Sequence, residues 1–148
     1  MIPNWILGKV EQSLVRRLTG LEYARAVSVV EAFRANRSYK LPGIICGALR
    51  AEQLKPAQGT WRVEAMVDII DDAGTTDAGE HQARAAQVLD ALNCASLAAD
   101  LSISDLALTV GFAIVTRIES GLDADQAKPR LRSTIHLLLD AVNYTTNQ

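Results

Sequence analysis

The sequence predicts an α+β domain: a single, mainly antiparallel sheet of four to five strands with two helices packed on one face. Three observations predict it. The elements run helix, two or three strands, helix, two strands. Strands outnumber helices, and the connections between strands read as hairpin loops more often than as crossovers. A length of 148 residues suits one domain, 1–148, that buries a core without a disulfide or metal. With 22 Ala and seven aromatic residues, that core must come mostly from Leu, Val, Ile and Ala. Trp5, Phe33, Trp61 and Phe112 are its few large pieces.

The first element is an amphipathic helix starting near Pro3, a residue suited to the first turn. Ile6, Val10, Leu14, Leu18 and Leu21 recur on one face, and Gly20 is placed to stop it. Residues 24–33 fit both an alternating and a helical pattern, and a strand is the preferred reading. After the polar stretch 35–40, Pro42-Gly43 marks a turn and residues 43–50 read as a short buried strand. A loop near Lys55-Pro56 precedes the clearest strand, with Trp61, Val63, Ala65, Val67 and Ile69 on one face. Arg62, Glu64, Met66, Asp68 and Ile70 alternate on the other face.

The polar segment Asp71–Gly79 reads as a loop in which Asp77 or Thr76 caps the next helix. That helix runs from about Glu80 to Asn93, with His81, Ala85, Val88, Leu89 and Leu92 as its stripe. Residues 94–106 form a mixed link. Two alternating strands follow: Leu108, Val110, Phe112, Ile114, Thr116 and Ile118 line one, and Leu131, Ser133, Ile135, Leu137, Leu139 and Ala141 line the other. A polar hairpin loop, Glu119 to Pro129, joins them.

Charge is uneven along the chain. Residues 1–62 hold ten Lys/Arg against four Glu, net +6, whereas residues 63–148 hold five against thirteen acids, net −8. A mixed folded surface is the simpler outcome; separate faces would suit head-to-tail packing of identical copies. The basic residues form no run with interleaved aromatics, so no specific nucleic-acid binding is expected. No stretch approaches the roughly 18 apolar residues of a membrane span, and none is expected to bind a membrane. Cys46 and Cys94 stand apart as small buried hydrophobes of a reducing compartment.

Chemistry-bearing motifs are missing. His81 and His136 lack companions at ligand spacing, no HExxH or CxxC occurs, and the acidic loop lacks a calcium-loop register. Neither GxSxG nor a phosphate loop is found. The expectation is therefore no enzyme, no catalytic or metal-ligating residues and no cofactor, with both histidines structural. Glu64 and Asp68 would pair as acid and base only if the fold assembled them.

The order of features carries a resemblance. Val10-Glu11-Gln12-Ser13-Leu14-Val15-Arg16-Arg17-Leu18 leads to Leu41-Pro42-Gly43-Ile44-Ile45, then to Val67-Asp68-Ile69-Ile70-Asp71-Asp72. A helix opening Glu80-His81 and ending Val88-Leu89-Asp90-Ala91-Leu92-Asn93 precedes the strand Leu131–Leu137. Over nearly its whole length the chain resembles the tail-terminator, or tail-completion, proteins of long-tailed bacteriophages. The resemblance implies a structural virion protein, made in the host cytoplasm and placed in the tail. It would form a homo-oligomer, a hexameric ring, that caps the tail tube and stops its polymerisation. Its partners would be the tail-tube protein and a head-completion or neck protein.

Loops usually carry such contacts. Glu52, Lys55, Gln58, Arg62, Asp71, Asp72, Asp77, Asp123 and Asp125 are the candidate interface residues. Two competing readings are a small-molecule or regulatory binding domain and a small enzyme using Glu64, Asp68 or His136.

Overall fold

The computed structural model describes residues 5–19, 29–32, 42–55, 59–123 and 129–143. It is an α+β domain. The elements are helix α1 (Ile6–Thr19), strands β1 (Val29–Ala32), β2 (Gly43–Lys55) and β3 (Thr60–Asp72), helices α2 (Ala78–Leu92) and α3 (Leu97–Leu101), and strands β4 (Leu108–Asp123) and β5 (Arg130–Asn143). The sheet order is β1-β2-β3-β5-β4. Every neighbouring pair is antiparallel except β1 and β2, which are parallel.

The apolar periodicities explain the layering. Ile6, Leu7, Val10, Leu14 and Leu18 of α1 are buried against the sheet face built by Ile44, Cys46, Val63, Ala65, Val67 and Ile69. Val88, Ala91 and Leu92 of α2 join that core, together with Leu97 and Leu101 of α3 and Ile135, Leu137, Leu139 and Ala141 of β5. Polar side chains tie the helices together: Ser13 Oγ donates to the Leu101 carbonyl at 2.5 Å, and Arg17 Nη2 donates to the Ala91 carbonyl at 3.1 Å. Glu11, buried in α1, accepts the Ala48 N–H of β2 at 2.9 Å. That donor lies beyond Cys46, where the β1 ladder ends, so the carboxylate serves in place of a strand.

The segment 94–106 differs from the expected link. It forms α3 and a single 3₁₀ turn, Ser104–Leu106, because Leu97, Leu101 and Leu106 each bury an apolar side chain. Ala107 then adopts φ 52°, which lets Ile103 and Leu108 exchange two backbone hydrogen bonds of 2.9 and 3.1 Å. The strand from Gly43 runs past Arg50 to Lys55, and β4 continues past Ile118 to Asp123, so both adjoining loops are shorter than expected. The readings placed on Pro3, Gly20, Phe33, residues 35–40, Pro56 and 124–128 lie outside the described residues.

Two strands are bulged. In β2 the register slips at Leu49 and Leu54, and in β4 at Gly111 and Thr116, each an extra residue against one on the partner. Each slip reverses the facing of the residues beyond it. Leu108 and Val110 therefore face the helices, Phe112 and Ile114 pair with Asp140 and Leu138 on the opposite face, and Ile118, Ser120 and Leu122 return to the helix side. The single apolar row expected of Leu108 through Ile118 is thus three short ones. The face opposite the helices is also not uniformly solvated, since Ile45, Asp68 and Ile70 are buried there.

Candidate functional site

The interface residues expected from the sequence fall in four places. Glu52 and Arg62 face each other, exposed, across the β2–β3 ladder. Arg62 also donates to both oxygens of Asp140 on β5, at 2.9 and 3.2 Å, and the pair holds the guanidinium proton more firmly. Lys55 ends β2 and Asp123 ends β4. Gln58 and Asp125 lie outside the described residues.

Asp72 and Asp77 shape the turn into α2. Asp72 Oδ1 accepts the Gly74 N–H at 2.8 Å, and Asp77 caps the helix by accepting the Glu80 N–H at 2.7 Å. Asp71 requires a correction. It is the penultimate residue of β3, faces the helices and is 0% exposed, so it offers no surface to a partner.

Two arrangements remain as candidates for function. The first is the surface of β4, which lies at the edge of the sheet. Its 16 residues include Phe112, Ile114, Ile118 and Leu122, exposed by 41, 43, 51 and 57%. On the face opposite the helices, Phe112 and Ile114 adjoin half-buried Leu138. Charged groups border them: the Arg62–Asp140 pair on one side, and on the other Arg117, which meets Glu119 at 2.8 Å beside His136. An apolar centre with a charged rim is the make-up of a protein contact.

The second is a polar chain beneath the N-terminal turn of α2. Arg84, almost wholly buried, donates to Asp71 Oδ1, and His81 Nδ1 lies 2.5 Å from Asp71 Oδ2. His81 Nε2 meets Ser133 Oγ at 2.8 Å, and Ser133 Oγ meets Ser120 Oγ at 2.9 Å. Asp71 and Ser133 both face the helices from adjacent strands, and His81 and Arg84 lie three apart on one side of α2, which brings the four together. Ser120 is exposed and borders an open pocket of about 170 Å³, lined by Ala78, His81, Gln82, Gly121 and Leu131.

The sequence signals buried His81 through the α2 stripe but not its partners. Asp71 lies ten residues away across a turn, Ser133 lies 52 away, and Ser120 reaches Ser133 only through the bulge at Thr116. Glu64 and Asp68 are not brought together as an acid–base pair. Asp68 is buried and accepts from Thr134 Oγ1 at 2.5 Å and Arg132 Nη1 at 3.1 Å, whereas Glu64 is exposed opposite Arg50. Among the described residues no group of three or more His, Cys, Asp or Glu is placed to hold a metal ion. No helix there is long and apolar enough to cross a membrane.

Comparison with protein-family models and with curated proteins finds no match.

Proposed function

We propose that the chain is a self-assembling structural subunit of the tail-terminator kind, which closes a ring on the end of a tail tube and presents its other side to a head-completion or neck protein. The observation that supports this reading most is β4. Edge strands of stable monomers are usually short, or blunted by charged side chains, Pro, bulges or a covering segment. This one is bulged and carries Arg117 and Glu119, yet it is 16 residues long and exposes four large apolar side chains, Phe112 and Ile114 together on the face opposite the helices. Covering Phe112 and Ile114 with a neighbour removes apolar area from water at roughly 25 cal/mol per Å². A ring of one chain needs that surface to meet a different surface of the next copy.

A small-molecule site is the weaker reading. The pocket beside α2 holds about 170 Å³, below the ~300–1,000 Å³ usual for drug-sized ligands.

Native mass spectrometry at tens of micromolar, alone and with a tail-tube protein, tests the proposal. A species of six times 16.0 kDa is expected. The double variant Phe112→Thr, Ile114→Thr should lose it, with retained folding checked by its melting transition. A strict monomer or dimer under every condition sinks the ring.

A further inference from the structure

Hydrogen-bonding capacity lets the polar chain run in one direction toward a base. Asp71, as a carboxylate, has no proton to give and accepts from both Arg84 and His81, so Nδ1 carries a hydrogen. With Nε2 unprotonated, the proton it takes in the chain is that of Ser133. With its proton so committed, Ser133 can only accept from Ser120. Ser120 therefore donates inward and keeps oxygen lone pairs for the pocket. Successive donations toward a base polarise one another and strengthen the terminal oxygen as a nucleophile.

We propose that Ser120 is a nucleophilic hydroxyl, activated through Ser133 by the His81–Asp71 pair, that accepts a small acyl group from an activated ester. Ser120 Oγ attacks the ester carbonyl carbon while its proton passes to Ser133 and that of Ser133 passes to His81 Nε2. The new O–C bond forms, the bond from carbonyl carbon to leaving oxygen breaks, and the leaving group departs with the electron pair. Asp71 faces the resulting imidazolium at Nδ1. The leaving oxygen takes the proton held on His81; water then attacks the acyl carbon, the bond from that carbon to Ser120 Oγ breaks, one water proton restores the Ser120 hydroxyl, and the acid departs with the other. Ser120 is the catalytic residue of this step, and Ser133 and His81 act through it. Gly121, Ala78 and Leu131 give the pocket small or apolar walls, and its volume suits an acetyl-sized group rather than a long chain.

The test uses the full chain and p-nitrophenyl acetate, with peptide mass mapping to locate acetyl groups. Ser104, also exposed but hydrogen-bonded to no imidazole chain, is the reference on the same molecule. General-base assistance should make Ser120 on the order of 10²-fold faster than Ser104. Ser133→Ala should bring Ser120 down to the rate of Ser104, with folding checked by its melting transition, and Ser120→Ala should abolish the fast adduct. Equal rates at Ser120 and Ser104 in the unmodified chain would overturn the proposal, a comparison that needs no variant to fold. An unchanged Ser120 rate in a folded Ser133→Ala variant would overturn it equally.

Discussion

Asp71 shows how much one side chain can hold when the surroundings exclude water. Its two oxygens serve Arg84 and His81, both nearly inaccessible themselves. Asp71→Ala leaves a buried guanidinium without its counter-charge, which should cost about 3–5 kcal/mol in urea unfolding. Adding Arg84→Met should recover part of that loss, because the stranded charge disappears with it. Cys46 makes a second case. Burial first, then the charges of Glu11 and Asp68, push its thiol well above the ordinary value. The folded state keeps the proton that an unfolded chain gives up, so stability is full below pH about 9 and falls as pH rises past it. Urea midpoints across that range should decline in the native chain and less steeply in Cys46→Ala. Half-buried Cys94 should react with a maleimide while Cys46 stays protected.

At the scale of elements, legibility follows the length and regularity of the pattern. The stripe of α1, the alternation of β3 and the Asp77 cap are all where the residues place them, because each is a local pattern with a local cause. The bulges of β4 are not legible. Gly111 and Thr116 sit in an unbroken period-two series, and only pairing with β5 reveals that each is supernumerary. Asp71 misleads for the opposite reason. It stands in an acidic run that reads as a turn, yet the strand continues through it.

The elements also carry their own predictions. Asp77→Ala should lower stability by about 1 kcal/mol through the lost cap of α2, measured by thermal unfolding. Ala107→Gly should raise it by up to about 1 kcal/mol, since a Cβ is disfavoured at φ 52°.

For the whole molecule, the charge asymmetry of the sequence is partly spent inside the fold. Arg16 and Arg17 of the basic half reach Asp105 and Asp100 of the acidic half, at 4.0 and 3.6 Å, and Arg62 reaches Asp140. Opposite charges that meet within one copy are less free to steer another, which favours the mixed-surface outcome. Assembly through Phe112 and Ile114 should therefore persist at high ionic strength, where exposed ion pairs are screened. Native mass spectrometry after a salt challenge, or sedimentation at about 0.1 and 1 M salt, checks this.

Glu11 has a consequence for valence. By taking the Ala48 N–H it stoppers one position on the flank of β2 where β1, only four residues long, gives out. Among the described strands, β4 is unpaired on its outer side, and β2 lies beside no other strand on its β1 side from Leu49 to Lys55. A unit with two such edges is bifunctional in the sense of polymer chemistry: each copy can join two neighbours, and growth halts only when the series of copies closes on itself.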